Sequence, residues 1–451
     1  MEGTRYTTKE SVLERAREII GIPLRDVDET GRIETGKGAI GHVIEESWFG
    51  YSPNPEAAPD FPEAGVELKV TPYVRGHNGI RAKERLVCNM IDYMTEHDKT
   101  LMTSAFWHKC NTILLMSYEH LQDKPKGDFT IDEAVLFSFP EEDLPIIEHD
   151  WEIIMQKVRD GRAHEISEGD TLYLGACTKG AKATDVRQQP FSDVPAKKRA
   201  YSLKSSYMTQ ILNKYIFGTE ESPKIIRNPK SLQGCTFEEY IINTVSKYYG
   251  KTQTELKQLF GVDSTAKSLN EILLAKMLNV SGRIAHTEEF QKACIIPKTI
   301  RVQKNGKIKE SMSFPTFDFI ELSKEEEWEE SELYNYLAPT KFMFVIFREQ
   351  EDGEYAFERV LFWNIPNEDL EEVGRVWERT VKTIREGVIL ENTPRGVSNN
   401  LPKQTESAVA HVRPHGKDAS DKLPLPDGRM MTKQCFWLNS KYIASQIERN
   451  L

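Results

Sequence analysis

Along the first half of the chain the spacing of apolar positions switches between helical and extended periods. Val12, Ala16 and Ile19–Ile20 recur at helical spacing and predict an amphipathic opening helix. A second helix is expected over Ile40–Trp48. Short apolar runs at Val66–Tyr73, Thr112–Met116 and Ala134–Phe139 have the length and content of buried strands. Ile146–Ile147, Ile153–Ile154 and Val158 then predict a long helix over Asp143–Arg159, with Pro145 tolerated in its first turn. A last strand and helix are expected over Tyr201–Leu212. Helices interleaved with short strands give a mixed α/β class.

The pattern then recurs. Glu18-Ile-Ile-Gly21 faces Lys247-Tyr-Tyr-Gly250, and Val43–Phe49 faces Ile272–Leu278, both at an offset of 229 residues. The same offset pairs Asp60–Phe61 with Glu289–Phe290, and Val66–Lys69 with Ile295–Lys298. Pro140–Leu144, Trp151 and Val158–Gly161 match Pro366–Leu370, Trp377 and Ile384–Gly387 at 226. Tyr201–Tyr207 resembles Phe436–Tyr442 at 235. Blocks that keep their order with only small insertions mark two copies of one domain. The expected division is a first domain over 1–217, a linker over 218–232 with two prolines and no apolar period, and a second domain over 233–451.

Composition narrows the functional classes. No run of eighteen apolar residues exists and the charged N-terminus lacks an apolar signal core, so a cytoplasmic protein with no membrane partner is expected. The six cysteines lie far apart with no CxxC pair, which predicts free thiols rather than a zinc or redox site. The net charge of −11 argues against nucleic acid, but it is unevenly spread. Ala176–Tyr215 carries eight basic residues against two acidic ones, and acid gathers elsewhere, as in Lys324–Glu330. A local basic surface on an acidic protein can hold phosphates; the alternative is a solvated face.

The segment Pro59–Val70 carries the candidate chemistry. On a strand, Glu67 and Lys69 project from one face while Val66, Leu68 and Val70 project from the other. Asp60 precedes a turn containing Gly65 and can return beside Glu67. Two carboxylates held together repel unless a cation sits between them. Magnesium suits such a pair, taking one or two protein carboxylates with water and phosphate oxygens. Lys69 can then orient the attacking water or offset the charge that develops on phosphorus. The competing reading is a surface salt bridge between Glu67 and Lys69.

The run Lys37-Gly38 through Glu46 to Gly50, then Pro59-Asp60-Phe61, then Gly65-Val66-Glu67-Leu68-Lys69 to Pro72, resembles the MutH mismatch-repair endonucleases in order and spacing. A doubled chain of this length resembles the GATC-cutting type II restriction enzymes of the MutH/Sau-3AI family. The resemblance implies two tandem MutH-like restriction-endonuclease folds forming a pseudo-dimer. It implies catalysis by Asp60, Glu67 and Lys69, with a supporting carboxylate at Glu46 and a supporting lysine at Lys109, the latter from the block His108-Lys109. Glu45 is an alternative to Glu46; the spacing to Gly50 and Asp60 favours Glu46. Asp60, Glu67 and Glu46 are the expected magnesium ligands. Lys37, Lys179, Lys182, Tyr201, Lys204, Arg413 and Lys417 are the expected DNA contacts.

In the second copy Ala275, Glu289 and Ile296 face Glu46, Asp60 and Glu67, while Lys298 faces Lys69. One acid of three is too little anionic oxygen for a metal, so this copy is expected to bind DNA without cutting it. One active site per chain implies DNA-dependent homodimers for a double-strand break. No nucleotide cofactor is expected. The first functional expectation is restriction of double-stranded DNA at GATC. The alternatives are a repair-type nickase at GATC and a non-catalytic DNA-binding regulator.

Overall fold

The computed structural model describes residues 6–34, 38–51, 58–76, 79–180, 185–218, 222–266, 268–394 and 396–450. Its contacts divide the chain into two compact units, Met1–Phe237 with Ala285–Ile295, and Glu238–Ile284 with Ile296–Leu451.

The first unit opens with helix α1 (Lys9–Glu18), whose Thr8 and Ser11 form a reciprocal N-terminal cap. Helix α2 (Ala39–Val43) runs on into a π turn, Ile44–Trp48. Strands β1 (Glu67–Gly76) and β2 (Gly79–Ala82) form a hairpin. After β3 (Leu86–Met90) and helix α3 (Ala105–Cys110) come β4 (Thr112–Glu119) and β5 (Glu133–Ser138). The main sheet has the order β2-β1-β4-β5, with β1 parallel to β4 and β4 antiparallel to β5. Helix α4 (Leu144–Arg159) follows with Pro in its first turn, where a missing N–H costs nothing. Strands β6 (Leu174–Thr178), β7 (Val186–Gln189), β8 (Ser192–Lys197) and β9 (Arg199–Leu203) lead to helix α5 (Ser205–Ile211). A second small sheet is ordered β3-β9-β6, and β7 and β8 form a hairpin.

Ordering α4 against β6 falls to Asp150, which is fully buried on α4. Its carboxylate accepts from the backbone N–H groups of Leu172, Tyr173 and Leu174 at 2.7, 2.6 and 2.9 Å. Burial pushes its pKa up against these three bonds, which lower it. A carboxylate buried at this cost is kept because the amides of the incoming strand need it as acceptor.

The second unit repeats the plan. Strands β10 (Ile295–Val302), β12 (Lys341–Glu349) and β13 (Tyr355–Trp363) form one sheet in that order, as β1, β4 and β5 do. Strands β11 (Met312–Thr316), β19 (Gln434–Leu438) and β16 (Ala410–Pro414) form the other, as β3, β9 and β6 do. Hairpins β14–β15 (Leu390–Thr393, Gly396–Asn399) and β17–β18 (Lys422–Pro424, Met430–Thr432) lie between them in sequence. Helix α6 (Leu269–Met277) corresponds to α2, and α7 (Asn367–Glu386) to α4. An apolar core runs from Ile300 to Ile447 through Phe344, Trp363 and Trp377.

Two stretches differ from the expected division. The described part of 218–232 is packed into the first unit: Ile225 is buried, and its N–H and that of Ile226 donate to Glu289. The helix Glu288–Ala293, which belongs by sequence to the second copy, also lies in the first unit. Lys292 on that helix pairs with Asp143 at 2.7 Å and with Glu288 at 2.7 Å, and Tyr207 donates to the same Asp143. Among the described residues no helix is long and apolar enough to cross a membrane. Cys88, Cys110, Cys177, Cys235 and Cys435 are free thiols.

Replacing Asp150 by Ala strands three buried donors. The expected loss is about 3–5 kcal/mol, read as a lowered midpoint of thermal or urea unfolding; an unchanged midpoint would contradict the role given to this carboxylate.

Candidate active site

The site is built at the head of β1. Phe61 and Val66 pair across a tight turn, with Phe61 N–H to Val66 O at 2.9 Å and Val66 N–H to Phe61 O at 3.2 Å. Gly65 closes the turn at φ 63°, a backbone region that favours glycine. Phe61 is anchored by aromatic contacts with Tyr6, Phe49 and Tyr51. The turn therefore folds Asp60 back onto the strand. Its backbone N–H lies 3.2 Å from Glu67 Oε2, and its Oδ2 accepts from Leu68 N–H at 2.9 Å.

Glu67 is 1% exposed, at the first position of a strand in the interior of the sheet. Lys69, on the same strand face, donates to Glu67 Oε1 at 2.6 Å. Register sets the next contributor. Glu67 lies opposite Ile113 on β4, and α3 ends just before β4, so Lys109 reaches to 3.6 Å from Glu67 Oε1. The Glu67–Lys69 pair is thus an ion pair, but an interior one, and the surface reading fails on burial.

The electrostatics are crowded. Burial pushes the Glu67 pKa up, Asp60 adds to the rise, and Lys69 and Lys109 oppose it. Burial pulls Lys69 down, yet Glu67, with Cys110 and Cys88 adding to it, together outweigh burial and the net shift is upward. Glu45 is pushed up to about 7, by burial first and then by Asp60 and Glu67, against Lys69 and Lys109. Glu45, half-buried, thus lies near enough to the cluster to feel its charges. Glu46 instead turns to Arg32, at 3.2 Å. This favours Glu45, the alternative to Glu46, as the carboxylate beside the cluster. Spacing assumed a regular helix, whereas residues 44–48 form a π turn that shifts which side chain points inward.

The donor set fits a hard divalent cation. Asp60 and Glu67 lie together beside Lys69 and Lys109, and a cation between the two acids would relieve the repulsion that adds to burial in raising Glu67. Among the described residues no three acid, histidine or cysteine side chains already converge as a ligand shell. Magnesium needs only one or two protein carboxylates, with substrate oxygens and water completing the shell.

Other expected contacts fare differently. Tyr201 is fully buried on β9, its hydroxyl directed at the Met155 sulfur, and Lys204 is 4% exposed with its ammonium on the Thr171 carbonyl. Neither offers a surface to a duplex, so both are corrected to interior roles: β9 is buried along its whole length, and Lys204 follows it, buried, at the start of α5. Lys179 is half-buried at the end of β6, tied by its N–H to Lys198 O at 2.7 Å. Lys37 and Lys182 lie outside the described residues. Arg413 and Lys417 are exposed in the second unit, with Arg413 stacked 3.8 Å from the Trp437 ring centre.

The second copy lacks this arrangement. Ile296 stands where Glu67 does, and Ala275 is buried in α6. Glu289 spends its carboxylate on the backbone amides of Ile225 and Ile226. Lys298 remains, and burial lowers its pKa.

A buried glutamate with a half-buried aspartate and lysine beside it at the head of a central strand, in a mixed sheet followed by a second small sheet, defines a nuclease of the restriction-endonuclease class. A family model described as DNA mismatch repair enzyme MutH matches residues 49–150. Over 98% of its length the chain is 39% identical to the Type II restriction enzyme Sau3AI of Staphylococcus aureus, covering 99% of that protein. It is 26% identical to the DNA mismatch repair protein MutH of Vibrio parahaemolyticus over 46% of the chain and 95% of that protein, and 26% identical to that of Shewanella woodyi over 40% of the chain and 79% of that protein. The chain belongs to the MutH/Sau3AI family of type II restriction and mismatch-repair endonucleases.

Glu45→Gln is expected to slow cleavage by about a hundredfold or more, and Glu46→Gln by less than about threefold. Single-turnover rates on a cognate duplex decide between them, and the reverse order would reinstate Glu46.

Proposed function

We propose that this protein is a magnesium-dependent type II restriction endonuclease that hydrolyses both strands of double-stranded DNA at GATC, using one active site per chain at Asp60, Glu67 and Lys69. The observation that carries this reading is the burial of Glu67 in contact with Lys69, Lys109 and the Asp60 backbone. A carboxylate kept in the interior at that cost marks a functional site.

Asp60 and Glu67 would hold the ion, with Glu45 completing the negative wall. When bound, magnesium supplies Lewis-acid polarisation of the scissile phosphate and part of the charge neutralisation. Asp60 is held in place by the Leu68 N–H, so the ligand pair is set by the turn before substrate arrives. Lys69 carries positive charge beside Glu67. There it can orient a water for in-line attack and offset the charge that builds on the phosphoryl oxygens. Lys109 adds a second positive charge on the same carboxylate.

The likeness to Sau3AI spans both units, whereas the likeness to the two MutH proteins covers 46% and 40% of the chain. That favours restriction over repair-type nicking. In this reading the second copy binds DNA through Arg413 and Lys417 and does not cut. A double-strand break then needs two chains on one palindrome or two successive nicks.

Purified protein with magnesium and an unmethylated plasmid carrying one GATC should yield linear product without any activator. Nicked circles that depend on an added protein would favour the repair reading. Glu67→Ala should abolish cleavage and retain duplex binding, and Lys298→Met should cut within about threefold of the parent. Cleavage lost in Lys298→Met with the fold intact would place chemistry in the second copy.

A further inference from the structure

Glu45 sits on a π turn, not on a regular helix. Phe49 N–H reaches back five residues to Ile44 O at 3.1 Å, and Tyr51 N–H bonds Glu45 O at 3.0 Å. A π turn is rare, and it occurs mostly as a single turn joined to an α-helix, often at a functional site; here it is supported from outside. That support is a two-way clamp between α1 and Trp48. Arg15 Nε and Nη2 donate to Trp48 O at 3.3 and 3.0 Å, and its guanidinium lies 3.7 Å from the Trp48 ring centre. Trp48 Nε1 donates in return to Arg15 O at 2.9 Å. Glu18 holds the far side of the guanidinium at 2.7 Å.

The second copy shows what happens without these groups. At the offset of 229 residues, Thr244 stands for Arg15, Met277 for Trp48 and Leu274 for Glu45. There the residue equivalent to Phe49, Leu278, bonds four residues back to Leu274 O at 3.0 Å, as in an α-helix. The clamp, the wide turn and the carboxylate are absent together.

We propose that Arg15 and Trp48 are positioning residues for DNA cleavage: their clamp fixes the Ile44–Trp48 turn and so aims the Glu45 carboxylate at the Asp60/Glu67/Lys69 cluster. This rests on the role for that cluster proposed above. Neither residue touches substrate in this account; each acts through Glu45.

The test uses the full chain. For Arg15→Ala and Trp48→Leu the single-turnover rate should fall about ten- to a hundredfold, since small misplacements near a reacting centre cost that much. KM and calcium-supported duplex affinity should stay within about threefold of the parent. Amide hydrogen exchange should speed up over residues 44–51 while β1 and β4 stay protected. Arg15→Lys should recover part of the rate. Arg15→Ala added to Glu45→Gln should cost little more than Glu45→Gln alone, because both act through one group. A parental rate in Arg15→Ala, additive losses in the double variant, or slower cleavage with unchanged exchange over 44–51 would each overturn the proposal. If Glu45→Gln itself cuts at the parental rate, the underlying site reading fails and takes this proposal with it; if Glu45→Gln is slow but Arg15→Ala is not, only the clamp fails.

Discussion

The first unit is organised around the burial of one carboxylate, that of Glu67. An ionised group in the interior of a sheet is tolerated only with opposite charge and hydrogen bonds beside it. Lys69 and Lys109 supply the charge, and the Asp60 N–H supplies a donor. Each of these comes from a different structural decision. Lys69 follows from strand alternation, Lys109 from the parallel β1–β4 register, and Asp60 from the Phe61–Val66 turn. The aromatic cluster of Tyr6, Phe49, Tyr51 and Phe61 in turn fixes that turn and the end of the π segment. Even so, the two lysines do not balance the site: burial and the neighbouring acids still raise Glu45 and Glu67. That residual cost of holding ionised carboxylates in the interior is what a divalent cation would relieve.

The duplication shows the same fold without that constraint. The strand orders β10-β12-β13 and β11-β19-β16 repeat those of the first unit. With Ile296 in place of Glu67 the surviving Lys298 has no carboxylate partner on its own strand; its Nζ reaches the Ser313 carbonyl at 3.5 Å, and burial depresses its pKa. Glu289, which retains the acid of Asp60 by sequence, has been drawn into holding the Ile225–Ile226 backbone. A retained lysine and a retained acid are therefore no sign of a retained site when the strand between them has turned apolar.

Much of the fold was legible because period and composition agree. The strand read at Val66–Tyr73 is β1, the helix read at Asp143–Arg159 is α4, and the repeat offsets align the strands of both units. The acid pair and lysine were legible because Glu67 and Lys69 alternate with apolar neighbours on a strand, and Gly65 signals the turn. Three things were hidden. The π turn that swaps Glu46 for Glu45 leaves no trace in spacing. The burial of Tyr201 and Lys204 depends on what packs against β9 and the start of α5, Met155 of α4 and the Thr171 carbonyl among it, which is a tertiary fact. The capture of Glu288–Ala293 by the first unit rests on the Lys292–Asp143 pair, formed by residues far apart in sequence.

The central claim is that a divalent cation sits between Asp60 and Glu67 beside Lys69. Anomalous diffraction from manganese in crystals of the full chain with a cognate duplex measures this directly. The account predicts one strong peak per chain, about 2.0–2.2 Å from an oxygen of Asp60 and of Glu67 and in contact with a phosphate oxygen. A peak in the second unit near Lys298, or a duplex-bound enzyme with no metal at Glu67, would contradict it.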